Sequence, residues 1–170
     1  ELLFISKENY SNGCACTVDI TYPAMPLYLL YAPQLVRGML EPIFNMVDEG
    51  CWLFEFAPHD AGRYPLLNGQ AYGYLPRARL RRPNPRDSQM PVEECGNMLL
   101  CVAAVCWREH STEYFTRHRA LLDQWANYLL RSGYDPENQL CTDDFAGHLA
   151  HNCNLSAKLI CALGAYARLL

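Results

Sequence analysis

Acids and imidazoles crowd into LCTDDFAGHLAHN, residues 140–152, which carries Asp143, Asp144, His148 and His151 in a chain with only 19% charged residues. A hydrolase needs one carboxyl held protonated and another group able to take a proton from water. Two further stretches bring related groups. FEFAPHDAGRYPLLNGQAYG contains Glu55, His59, Asp60, Arg63, Tyr64, Asn68 and Gln70, and QMPVEECGNM contains Glu93 and Glu94. The natural catalytic candidates are therefore Glu93, Glu94, Asp143 and Asp144. Spacing along the chain says nothing of their separation in space, so it does not distinguish a nucleophile from a water-activating base.

Each group also has a structural use. Acids in a helix's first turn are favoured by the helix dipole, which accounts for one of Glu93 and Glu94 without catalysis. Thr142 or Asp143 suits a helix N-cap, and His148 suits a hydrogen-bonded core. If residues 144–151 were helical, Asp144, His148 and His151 would share one face and could hold zinc or another divalent ion. The H-x-x-H spacing lacks the glutamate of the metalloprotease pattern, so no metal is assigned. Cys14 and Cys16 form a C-x-C without a second pair at zinc-ribbon spacing. No phosphate-cradling glycine motif occurs, and no cofactor is expected.

These groups need elements to position them, and helical periodicity dominates the chain. Pro23–Tyr31 and Pro33–Val47 read as a helix pair broken near Pro33. Leu35, Val36, Met39, Leu40, Ile43, Phe44 and Val47 line one face of the second, where Pro42 should introduce a kink. From Asp48 to Met90 the pattern disappears into a long excursion rich in proline and glycine. It returns at Pro91, suited to a first helical position, and Met98–Trp107 is apolar all round, the mark of an enclosed helix. Thr112–Arg131 is apolar on one face, with Ser111 as its expected N-cap and Gly133 as its end. Asn154–Leu170 is again nearly uncharged apart from Lys158 and Arg168. Enclosed and half-wet helices in alternation, joined by long loops, predict an all-α, two-layer stack with its loops at one mouth.

Composition narrows the partners. A formal charge of −4 and a pI near 5.7 argue against nucleic acid, and the basic run Arg77–Arg86 reads as a solvated loop. No apolar run is long enough for a membrane span. Nine cysteines, an odd number, fit free thiols and a reducing, cytoplasmic setting better than a disulfide framework; a secreted or periplasmic parent protein stays open. The chain opens at Glu1 and closes within an apolar run, so residues 1–170 are expected to be one helical domain segment of a longer polypeptide.

Four stretches carry a resemblance to a known family. NGCACTVDITYPAMPLYLLYAPQLVRGMLEPIF, APHDAGRYPLLNGQ, QMPVEECGNMLL and DPENQLCTDDFAGHLAHNCNLSAKLICALGAYA together resemble the C-terminal helical domain of the glutaminase A family, in order and over most of the chain. The resemblance implies part of an (α/α)6 toroid of the six-hairpin glycosidase type, in a parent protein with additional N-terminal domains. It also implies hydrolysis of the side-chain amide of glutamine to glutamate and ammonia. By position in the matching motifs, His59, Asp60, Glu93, Glu94, Asp143, Asp144, His148 and His151 become pocket candidates.

The expectation is thus a hydrolase lobe taking a small-molecule substrate. One of the four acids would activate water, and a second, or His148, would protonate the departing ammonia. Arg63 or Asn68 would hold the substrate. The alternatives are a glycoside hydrolase using the same carboxylates, with Tyr22, Trp52, Tyr64 or Tyr72 stacking on sugar rings, and a non-catalytic binding lobe.

Overall fold

The computed structural model describes residues 2–10, 12–72, 89–142 and 147–170. Asp143, Asp144 and the basic run at 77–86 lie outside the described residues. The chain is all-α, as expected, apart from two short strands. In order come β1 (Cys14–Ala15), α1 (Val18–Tyr31), α2 (Pro33–Asp48), β2 (Gly62–Arg63), α3 (Pro91–Glu109), α4 (Glu113–Arg117), α5 (Arg119–Ser132) and α6 (Cys153–Ala167). The strands pair antiparallel, Cys14 opposite Arg63 and Ala15 opposite Gly62.

α3 is the central element and packs against α1, α2, α4, α5 and α6. It starts with Pro91 in the first turn, as the sequence predicts, where the missing N–H leaves no bond unmade. Val92 through Leu99 are all buried, whereas Trp107 near the other end is 50% exposed. α2 presents Val36, Met39, Leu40, Ile43 and Phe44 to the core on the expected face. Pro42 does not end the helix, which continues to Asp48.

α1 begins five residues before its expected start and holds both Pro23 and Pro26. Neither proline can donate, so the carbonyls of Asp19 and Tyr22 lose their usual partners four residues on. Packing against α2 and α3 supports the helix where its own bonds do not.

The helix expected over 112–131 is split at His118. The His118 N–H bonds to the Phe115 carbonyl at 3.2 Å, a three-residue step that resets the helix phase. Its buried ring stacks on Phe44, with centroids 3.8 Å apart. Phe115 and Leu122, on either side of the break, both face inward. Thr112, not Ser111, stands at the N-cap position, although Ser111 Oγ accepts from Glu113 N at 3.2 Å. Gly133 closes α5 as expected, its N–H donating to the Leu129 carbonyl.

α6 is half-wet rather than enclosed. Leu155, Leu159, Ala162 and Ala165 face inward while Ile160 is 67% exposed. Its N-cap is Asn152, whose side chain accepts from Asn154 N and Leu155 N.

Candidate active site

The buried polar groups gather where the starts of α1 and α3 meet the irregular segment before β2. That segment is held by Asp60, which is fully buried. Asp60 Oδ1 accepts from Gly62 N at 2.8 Å and Ala71 N at 2.9 Å. Its Oδ2 accepts from Tyr72 N at 3.1 Å and faces His59 Nδ1 at 2.8 Å. A carboxylate offers only acceptors, so the network assigns the hydrogen to His59 Nδ1 and points Nε2 away from Asp60. Gly62 permits the tight return: its φ is +119°, and a side chain there would meet the Gly69 carbonyl oxygen at 2.6 Å.

Gln70 fixes the backbone of the same segment. Its Oε1 accepts from His59 N at 2.7 Å, and its Nε2 donates to the Tyr72 carbonyl and to Gln89 Oε1 at 2.8 Å. The His59 ring stacks on Tyr72 with centroids 4.3 Å apart. The His59 carbonyl accepts from Val18 N at 2.8 Å, which ties the first turn of α1 to the histidine. Asp19 Oδ1 consequently lies 3.5 Å from His59 Nε2.

The first turn of α3 supplies Glu93 and Glu94, both buried. Asn97 lies one turn along the helix and donates to Glu93 Oε1 and Glu94 Oε2, each at 3.1 Å. Glu93 Oε1 also accepts from Thr142 Oγ1 at 2.5 Å and from the Lys158 ammonium. Lys158 donates to Asn97 Oδ1 at 2.8 Å and sits 4.6 Å from the Tyr22 ring centroid. Glu93 is therefore neutralised and anchored. Glu94 has no such cation, and its Oε1 has no hydrogen-bond partner among the described residues, nor has Asp19 Oδ1.

Burial, reinforced by the nearby charges of Asp19 and Glu93, holds the Glu94 carboxyl well above the usual carboxylate range; Asn97 and Lys158 offset this only in part. Burial also raises the Asp19 carboxyl, opposed by His59 and reinforced by Glu93 and Glu8. Two facing carboxyls away from water resist simultaneous ionisation and tend to keep one proton between them. The neighbouring thiols are poor nucleophiles at neutral pH. Burial pushes Cys16 and Cys101 up to about 12 and raises Cys14 and Cys95 as well, so their thiolate fractions are small.

Of the sequence candidates, His59, Asp60, Glu93 and Glu94 come together. Arg63 and Asn68 are exposed and make no hydrogen bond to the buried acids. His148 is exposed in the irregular segment before α6, and His151 is exposed and pairs with Asp135 at 2.7 Å. His148 and His151 share no helical face, and Asp144 lies outside the described residues. Residues 147–152 are not helical and α6 starts only at Cys153. The 140–152 segment touches the cluster through Thr142 instead.

Sequence reasoning missed Asp19, Asn97 and Lys158. A signal existed for two of them: Asp19 is the one acid in α1, and Lys158 is the one charged residue within α6. Charges in otherwise apolar helices call for buried partners.

The family model for the glutaminase A six helical-hairpin domain matches residues 1–170. A protein named glutaminase A from Aspergillus oryzae (strain ATCC 42149 / RIB 40) is 36% identical over 162 residues, covering 95% of this chain and 22% of that relative. A probable glutaminase from Arthroderma benhamiae (strain ATCC MYA-4681 / CBS 112371) is 27% identical over an alignment covering 99% of this chain and 25% of that relative. The chain thus spans about a quarter or less of the curated relatives it matches. No solved structure matches.

Proposed function

This chain belongs to the glutaminase A six helical-hairpin domain family, and on that premise we propose that it is the hydrolytic lobe of an enzyme that cleaves the side-chain amide of glutamine to glutamate and ammonia. The observation carrying this reading is the convergence of Asp19, His59 and Glu94, whose ligand atoms all lie within 4.8 Å of one another in a buried setting. The names of the relatives, glutaminase A and probable glutaminase, supply the substrate class.

In this mechanism the Asp19–Glu94 pair carries one proton. Asp19, beside His59 Nε2, takes a proton from water as the water oxygen bonds to the amide carbon. Glu94 gives its proton to the nitrogen as the C–N bond breaks. The pair ends with one proton on the other member, and glutamate and ammonia leave. Asp60 positions His59, while Lys158 and Thr142 hold Glu93 in place. Tyr72 and Gln89 flank residues 73–88, and Thr142 precedes residues 143–146; all are tied to the cluster. Substrate would enter at this edge, and Asp143 and Asp144 stay proposed as further acids of the reaction.

A glycoside reading stays second. The short carboxyl separation is below the roughly 6.5–9.5 Å an inverting glycosidase needs and nearer a retaining one, and the half-buried rings of Tyr22 and Tyr72 border the cluster. The test offers the intact protein glutamine and a glycan panel in parallel. Ammonia from glutamine without sugar release is expected; sugar release without ammonia would transfer the same residues to the second reading.

A further inference from the structure

We propose that Asp19, His59 and Glu94 form a binding site for one divalent first-row transition ion, such as Zn2+ or Mn2+. The inference goes beyond the hydrolase reading and does not need it, because the site is defined by donor geometry alone.

All three residues are more than nine-tenths buried, and their donor atoms fall within 4.8 Å of one another. Asp19 Oδ1 and Glu94 Oε1 are buried oxygens without hydrogen-bond partners among the described residues. Such oxygens are costly in a protein interior unless something satisfies them. His59 is prepared in the manner of a metal-binding histidine: its Nδ1 is held by Asp60 at 2.8 Å, leaving Nε2 toward the two oxygens. A carboxylate behind the ring fixes its orientation and makes the outer nitrogen a better ligand.

Charge points the same way. Of the buried carboxyls of Asp19, Asp60, Glu93 and Glu94, only that of Glu93 is paired with a lysine or arginine among the described residues, Lys158. Lys158 is spent on Glu93, so a second cation has a place beside Glu94. The separations suit an ion too. Donors about 2.1 Å from a zinc-sized ion stand roughly 3–3.5 Å apart. Asp19 and His59 already do, at 3.5 Å, and a Glu94 carboxylate oxygen lies within 4.8 Å of both. One imidazole and two carboxylates suit zinc or manganese better than calcium, which prefers oxygen alone. A second triangle, Cys14 with His59 and Asp60, fails because Asp60 already receives four donors.

The experiment strips the intact protein with a chelator and titrates it with Zn2+ by calorimetry and with Mn2+ by electron paramagnetic resonance, without substrate. Wild type should take up one more ion than Asp19→Asn and Glu94→Gln, or bind it at least about a hundredfold more tightly. Glu49→Gln, at an exposed acid just after α2, should bind as wild type does. Melting curves of the stripped proteins control for folding, and the two ligand variants check one another. Equal uptake by wild type, Asp19→Asn and Glu94→Gln would overturn the site, as would the same loss in Glu49→Gln. A bound ion would occupy both groups that the proposed hydrolysis uses for proton transfer, so loading should suppress ammonia release. Because binding is read without substrate, failure of the hydrolase reading leaves this result standing.

Discussion

Lys158 lies across α3 at Gly96: a Cβ on Gly96 would stand 2.9 Å from Lys158 Cγ and 3.1 Å from its Cδ. The absent side chain lets a lysine from α6 reach the first turn of α3, where it neutralises Glu93. The partition of roles between Glu93 and Glu94 follows from that passage, because only one of two adjacent acids receives the ammonium.

Replacing Lys158 with methionine keeps the stem and removes the charge, leaving Glu93 buried without its cation. Loss of one partner from a buried pair typically costs about 3–5 kcal/mol. Chemical denaturation of Lys158→Met should show a loss of that order at neutral pH, and adding Glu93→Gln should recover much of it. Additive losses would contradict the pairing.

Asp19→Asn and Glu94→Gln each remove one half of the proposed proton exchange. Each should lower glutamine turnover by about a hundredfold or more, the usual range for a positioned acid or base. Steady-state ammonia release measures this. Wild-type rates in both variants would remove these residues from the chemistry.

Asp60→Asn replaces one acceptor oxygen by an NH2 group that cannot accept the hydrogen bonds received there. The lost bonds to a charged acceptor are worth about 1.5–3 kcal/mol each before relaxation. Turnover of the folded protein should fall because His59 loses its fixed tautomer. A variant with reduced stability but wild-type turnover per folded molecule would make Asp60 purely structural.

The raised carboxyl of Glu94 gives stability a defined pH trend. Above the ordinary glutamate value of 4.5 the unfolded chain releases this proton while the folded chain keeps it. The folded state then binds more protons than the unfolded state, so stability falls as pH rises from that value through the raised folded one. Glu94→Gln has nothing to release and should flatten the fall. Urea midpoints at several pH values test this, and an unchanged slope in the variant would contradict the assignment.

Burial raises the thiols of Cys14, Cys95 and Cys101. They should resist alkylation in the native protein and react only after unfolding. Mass spectrometry of iodoacetamide-treated protein reports each site. Rapid native labelling of these three would show that the core around α3 opens.

The sequence by itself determined the helical class, the break before Pro33, the start of α3 and the inward face of α2. These depend on near neighbours: a proline lacks an N–H, and apolar side chains three and four residues apart share a face. It also placed Glu93 and Glu94 in the first turn of one helix. What it did not separate were residues with the same local signature. His59 and His151 both sit beside turns, yet one is buried between two carboxylates and the other is exposed against Asp135. The split at His118 likewise depends on Phe44, far away along the chain. Only the tertiary structure decided that Asp19 from α1 and Lys158 from α6 join the acids of α3. Proton affinity is set by burial and by charges within a few ångströms, and those distances come from packing between helices rather than from spacing along the chain.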